Sequence, residues 1–228
     1  MKYPGKELEI FDKATIWRKY IYYLTKNYLK DNILEIGAGL GSFTKGYYKK
    51  FQNITLTDLD EENVNTLKKN FSEEKNIKIC SNFINEIEGK FNTIIYLNVL
   101  EHIKNDMDEI NSSLNKLNTG GHLIILVPAH QKLYSKFDEI IGHCKRYEIN
   151  FFQLNKFKKA EIQKLMFLDM FGYFLYFFNK IFFKEEVYPS KFKIFLWDKI
   201  FCPITIIFDY ITRYKFGKNI LCIYKKID

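Results

Sequence analysis

Proline is scarce, at 4 of 228 residues, while Lys, Asn, Ile and Phe abound. An AT-rich coding sequence produces that bias, and it carries no function of its own. Cysteine is equally rare. Cys80, Cys144, Cys202 and Cys222 form no C-x-x-C pair, so neither a zinc site nor a disulfide framework is indicated. No signal segment opens the chain: residues 1–9 are polar and an amphipathic pattern follows. A reducing cytoplasm is the expected compartment. No apolar run reaches the ~20 uninterrupted residues that cross a bilayer. No repeat or low-complexity linker divides the sequence, so residues 1–228 are expected to form one domain. What is plentiful is aromatic, with 22 Phe and 16 Tyr, and basic, with a net charge of +8. The charge is uneven. Residues 1–150 hold 21 basic and 20 acidic side chains, whereas residues 151–228 hold 14 and 7. A solvated lysine-rich surface would explain this. So would a basic face for membrane lipid, a phosphorylated substrate or nucleic acid.

The chain is organised around residues 32–43, N-I-L-E-I-G-A-G-L-G-S-F. Ile33, Leu34 and Ile36 make an apolar run too short for a helix and suited to a parallel strand covered on both faces. Gly37 and Gly39 admit backbone angles closed to other residues and let a ligand touch the main chain. Past Gly41 a helix is expected, its free N–H groups facing the turn. The dinucleotide fingerprint is G-x-G-x-x-G. Here the spacing is G-x-G-x-G, with Glu35 two residues ahead of the first glycine. A plain strand, turn and helix with glycines kept for packing would read the same way.

Other elements follow from periodicity. Ile10, Ala14, Trp17, Ile21, Leu24 and Tyr28 recur at helical steps, predicting an amphipathic helix within 7–30. Strands are expected at 54–60, 77–80, 122–127, 161–168 and 219–224, with a further strand and its exit loop over 91–103, and helices at 61–71 and from Asp106 to a stop at Gly120 and Gly121. Between the last two strands, residues 170–212 are dense in Phe and Tyr. Asn179 and Lys180 interrupt one apolar run, and Pro203 and Asp209 the other. The expectation is a helical cap whose aromatics pack on the core, or interfacial helices resting on a membrane.

The G-x-G-x-G turn with Glu35, the F-N-T-I-I strand at 91–95 and the V-L-E-H-I exit at 99–103 resemble class I S-adenosylmethionine (SAM) methyltransferases. Asn92 stands where that family usually has Asp. The run V-P-A (127–129), L-Y (133–134), Asp138, G-H (142–143) and R-Y (146–147) resembles a bacterial branch met beside glycosyltransferases and cell-envelope genes. The resemblance implies an α/β fold. Its sheet is Rossmann-like, seven-stranded and mostly parallel, with helices on both faces and a helical insertion between strands 6 and 7. It implies SAM as cofactor and S-adenosylhomocysteine (SAH) as product. Glu35 would orient the cofactor's amine, and Gly37, Ala38 and Gly39 would present main chain. Asp58, ending the second strand beside Leu59, would accept from both ribose hydroxyls. Asp60 competes for that role, although it can instead cap the next helix. Asn82 replaces an Asp that reads the adenine amino group, and Phe83 could stack on the ring. Leu97 and Asn98 complete the set at the fourth strand's end. Trp17 suits the core, while Arg18 or Tyr20 could close over the cofactor carboxylate.

A sulfonium methyl is already activated, so its in-line transfer needs alignment first. An alcohol or phenol acceptor also needs a base with a pKa near 7, which suits histidine. His102, His130 and His143 follow strand ends, where α/β sheets bind ligands. His122 opens a strand and reads as structural. Tyr134, Asp138, Arg146 and Tyr147 are expected toward the acceptor, although a capped helix start and a surface Arg would also explain the 142–147 segment. Some ubiquinone-pathway O-methyltransferases bind a divalent metal through E-x-x-E-H. Here Asn98 occupies the first ligand position, so no tightly bound metal is expected. The expected partner is a small-molecule, sugar or lipid-linked acceptor, with peripheral contact at the inner face of an anionic membrane. No N-P-P-Y-type motif points to nucleic acid. An NAD(P)-type oxidoreductase shares the fold but wants G-x-G-x-x-G, and a non-catalytic SAM-binding module would share every motif.

Overall fold

The computed structural model describes residues 3–5, 7–182 and 188–227, and of 179–182 only the backbone. The 183–187 part of the insertion therefore lies outside the described residues. Seven strands form one sheet: β1 (Ile33–Ile36), β2 (Ile54–Thr57), β3 (Ile77–Cys80), β4 (Phe91–Leu97), β5 (Leu117–Pro128), β6 (Ala160–Leu168) and β7 (Asn219–Lys226). Their order is β3-β2-β1-β4-β5-β7-β6. The first five run parallel, and β7 lies antiparallel to both β5 and β6. Alternate side chains feed two apolar layers. Leu34, Ile94, Leu123 and Ile125 enter one layer, and Ile33, Ile95, Ile124 and Leu126 the other. Both faces are thus covered, which is why these strands read as continuous apolar runs.

Helices α1 (Leu8–Phe11) and α2 (Thr15–Thr25) precede β1, and α3 (Glu61–Asn70) follows β2. After β4 comes α4 (Asp106–Lys116), and after β5 come α5 (Lys136–Ile140) and α6 (Ile149–Leu154). The insertion between β6 and β7 holds α7 (Met170–Phe182), α8 (Lys191–Leu196) and α9 (Cys202–Ile211), with a π-helical turn, Trp197–Phe201, joining α8 to α9. Strand order reverses between β1 and β4. Open α/β sheets form their ligand crevice there, at the carboxyl ends.

Four expectations change. The single N-terminal helix is two, because the carboxylate of Asp198 from the insertion accepts from Ile16 N (3.0 Å) and Trp17 N (2.9 Å) and starts α2 afresh. No α-helix forms after Gly41. Two 3₁₀ turns, Thr44–Gly46 and Tyr48–Lys50, stand in its place. Between them Tyr47 leaves helical geometry (φ −134°) and buries its ring, its hydroxyl donating to Glu35 at 2.5 Å. Strand β2 stops at Thr57, since the next residues turn to cap α3. Gly120 and Gly121 do not end a helix: α4 stops at Lys116, and the glycines lie in an irregular start of β5, where pairing slips between Leu117 and His122.

Candidate active site

One cleft of about 1450 Å³ opens at the carboxyl ends of β1, β2 and β4. All ten residues expected to hold the cofactor line it: Glu35, Gly37, Ala38, Gly39, Asp58, Leu59, Asn82, Phe83, Leu97 and Asn98. Gly37 and Gly39 have φ of +64° and +55°, a region costly for any residue with a Cβ. A Cβ on Gly37 would also sit 2.5 Å from Val99 Cγ2. Asp58 reaches back to the turn, accepting from Gly39 N at 2.8 Å with Oδ2 and from Asp60 N at 2.9 Å with Oδ1. Asp60 caps α3 through Glu62 N and Asn63 N and also accepts from Tyr3 N. Geometry thus gives Asp60 the capping position and leaves Asp58 half-buried on the cleft wall. Glu35 is buried, its Oε2 accepting from Thr44 Oγ1 at 2.8 Å as well as from Tyr47. Burial pushes its carboxyl up to about 7, against the opposing effect of those two hydroxyls. Thr57 Oγ1 donates to the Asn82 carbonyl at 2.9 Å and ties the β2 and β3 ends together.

The other half of the cleft lies between the segment after β5 and the insertion. There His143 stands between two carboxylates. Its Nδ1 is 2.8 Å from Asp138 Oδ1, and its Nε2 is 3.7 Å from Glu101 Oε1. Asp138 is fully buried and is also gripped by Arg146, Nε to Oδ1 at 2.8 Å and Nη2 to Oδ2 at 3.0 Å. Tyr176 of α7 donates to Asp138 Oδ2 at 3.0 Å, and its ring lies 4.4 Å from the Arg146 guanidinium carbon. Burial alone would raise the Asp138 pKa. The His143 hydrogen bond and the Arg146 charge outweigh it and hold this carboxyl well below the usual range. Glu101 differs: it is fully buried, neither oxygen has a hydrogen-bond partner among the described residues, and burial pushes its carboxyl up to about 7. Nη1 of Arg146 is likewise buried and unpartnered among the described residues. The His102 ring lies edge-on to His143 at 4.7 Å, and burial, then the neighbouring His143, lowers its pKa to about 4.

A family model described as a methyltransferase domain matches residues 11–161 of this chain. The chain belongs to the SAM-dependent methyltransferases. No curated protein matches it in sequence. Among solved structures it resembles the N-methyltransferase NodS of Bradyrhizobium japonicum in complex with SAH, at 13% identity and TM-score 0.58, over 92% of this chain and 85% of that one. Coclaurine N-methyltransferase bound to N-methylheliamine and SAH matches at 12% identity and TM-score 0.64, over 93% and 72% of the two chains. A SAM-dependent methyltransferase of Clostridium acetobutylicum matches at 16% and 0.62, over 96% and 97%. At such identities the likeness is one of fold. The methyltransferase uses SAM and yields SAH, and its own glycine turn fits that cofactor. The turn brings its main chain to the cleft at two left-handed glycines, with the carboxyl groups of Glu35 and Asp58 on the same wall.

Of the residues expected at the acceptor, His102, His143 and Arg146 line the methyltransferase's cleft, and His130, Tyr134, Asp138 and Tyr147 do not. His130 turns away. It stacks on Phe167 at 5.1 Å, with Nε2 3.0 Å from the Gly217 carbonyl and Nδ1 3.5 Å from Glu148. A ring held there does not reach the cleft, and its expected service as a base is withdrawn. Tyr147 is buried with its hydroxyl on Asp106 (2.7 Å) and Leu100 O, and Tyr134 donates to the His143 carbonyl at 2.7 Å. Both shape the loop from behind, as Asp138 does. Arg18 lines the cleft but spends its guanidinium on the Phe11 and Asp12 carbonyls, while Tyr20 is buried on Asp209. His122 opens the regular part of β5 against Tyr28. Sequence reasoning missed Tyr3, Leu8 and Asp12 of the N-terminal segment, and Tyr176, Trp197 and Lys218 from the insertion side, all of which line the cleft. Nothing in their spacing marks them. Glu101, His102 and His143 also bring ligand atoms within 4.8 Å of one another, a set that could hold a metal ion. The expectation of no metal, resting on Asn98, did not count His143 from a separate segment.

Proposed function

We propose that this methyltransferase methylates a hydroxyl on a small, sugar or lipid-linked acceptor of the cell-envelope type, with His143 as the base. The observation that carries the reading is His143 on the cleft wall, held between Asp138 and Glu101. Asp138 accepts from Nδ1, so that nitrogen carries the proton and Nε2 presents its lone pair. SAM supplies an activated methyl. The chain must place the acceptor oxygen in line with it and take the hydroxyl proton, which passes to Nε2. His102, with its pKa lowered to about 4, is a weak base at neutral pH and serves by fixing the loop, its Nδ1 3.2 Å from the Gly142 carbonyl. Arg146 Nη1 is left for an acceptor oxygen.

The test uses tritium-methyl SAM with aqueous and lipid extracts as acceptor source. Wild type should label a product. His143→Ala should lose at least about tenfold in labelling, or ~1.4 kcal/mol in barrier, while SAH affinity by calorimetry stays within about twofold. Equal labelling by the variant refutes the base. Label recovered on nitrogen refutes the hydroxyl acceptor and turns Glu101, buried without a hydrogen-bond partner among the described residues, into the holder of an amine.

A further inference from the structure

We propose that the solvent-facing side of α7 and α8 docks on an anionic lipid bilayer, with the mouth of the acceptor cleft turned to the membrane. In α7, Phe174, Phe177 and Phe178 are 43%, 40% and 54% exposed, and in α8 Phe192 and Phe195 are 69% and 55% exposed. These positions follow three- and four-residue steps, so each helix turns an aromatic stripe outward. The opposite sides are already used: Tyr173 and Ile194 are buried. Phe174 and Phe177 touch Tyr173 on one side and still leave about two fifths of their surface to solvent. Five large rings on two short helices make a larger apolar patch than scattered surface residues do. Among the described residues no helix is long and apolar enough to cross a membrane. Short helices that are aromatic on one side and basic at the margin suit the headgroup boundary instead.

Charge selects the occupant. Residues 170–218 carry eight Lys and Arg against four acids. Lys199 pairs with the buried Asp198 and Lys218 with the buried Asp169, Glu185 and Glu186 lie outside the described residues, and Lys191, Arg213 and Lys215 are exposed. Lys191 stands at the start of α8, beside the exposed Phe192. Lysine stems can lie along aromatic rings while their ammonium groups meet lipid phosphates. The cleft runs into the same patch. Leu175 and Phe178 of α7 line it and are exposed as well, and Lys193 and Leu196 of α8 line it from the other side. An acceptor with a hydrocarbon tail would reach the cleft without leaving the bilayer. That consequence rests on the methyl-transfer reading, and the docking does not.

Flotation with phosphatidylcholine vesicles, with and without phosphatidylglycerol, tests the docking at low and high salt. Wild type should float with the anionic vesicles at low salt and release at high salt. Lys191→Glu should weaken association by at least about fivefold. Phe192→Ser with Phe195→Ser, neither of which lines the cleft, should abolish flotation while SAH affinity by calorimetry is kept. Kept SAH binding shows that the variants fold, and labelling of a water-soluble acceptor reads methyl transfer separately. No flotation at any salt overturns the proposal. So does flotation that the aromatic variant leaves unchanged, or a wild-type dimer that this variant dissociates, which would place a second copy on the face.

Discussion

Replacing Glu35 by Gln should separate the stability of the fold from its hold on SAM. Glu35 is enclosed by β1 and the turns after it, with Thr44 and Tyr47 donating to one oxygen. Burial pushes its carboxyl up to about 7, whereas an unfolded Glu titrates near about 4.3. The folded state therefore binds more protons than the unfolded state between those values. Stability falls as pH climbs from about 4.5 to about 7 and is level above. At about 1.4 kcal/mol per pH unit the full cost is about 3.5–4 kcal/mol. The interval from about pH 5 to 8.5 contains about 2–3 kcal/mol of it. A Gln cannot ionise, and its carbonyl still accepts from both hydroxyls. Urea unfolding without SAM should show the variant gaining about 2–3 kcal/mol on wild type between about pH 5 and 8.5. Comparing the two pH values cancels any constant cost of packing the amide. Parallel stability curves for the two proteins would refute burial as the source of the penalty. The resemblance gives Glu35 the cofactor amine, and on that reading the same variant loses an anionic partner there. SAM affinity near pH 8.5 should fall by about 1.5–3 kcal/mol, the scale of a hydrogen bond to a charged group.

Asp58→Ala should weaken SAM by about 1.5–3 kcal/mol in calorimetry, and unchanged affinity in a folded variant would hand the ribose to Asp60. Arg146→Ala strips a fully buried carboxylate, Asp138, of its bidentate partner, and should cost about 3–5 kcal/mol in chemical denaturation. A loss under about 1 kcal/mol would mean that water replaces the guanidinium. Methyl transfer should survive EDTA. Activity lost to the chelator and restored by a divalent ion would replace His143 as base with a metal held by Glu101, His102 and His143.

Much of this was legible in the chain. Glycines with left-handed backbones, β-branched runs covered on both faces and acids at strand ends are local requirements, so the seven strands could be placed from pattern, and the ten residues that the resemblance assigned to the cofactor all line one cleft. The helix expected after Gly41 failed because a tertiary partner, the buried Glu35, draws Tyr47 inward, and no local pattern records that pull. The N-terminal helix broke for a similar reason: its cap, Asp198, lies more than 180 residues away in sequence. The acceptor side was legible only as a list of polar residues. Tertiary structure sorted that list, sending His130 to Phe167 and Tyr147 to Asp106, and setting His143 between Asp138 of α5 and Glu101 of the turn after β4. The sequence by itself determined the strand order's raw material and the cofactor turn, because backbone conformation and burial pattern are written residue by residue. Only the tertiary structure decided which histidine faces the cleft and which aromatics of the insertion stay outside. Those outcomes depend on which distant side chain arrives first to satisfy a buried charge or cover an apolar face.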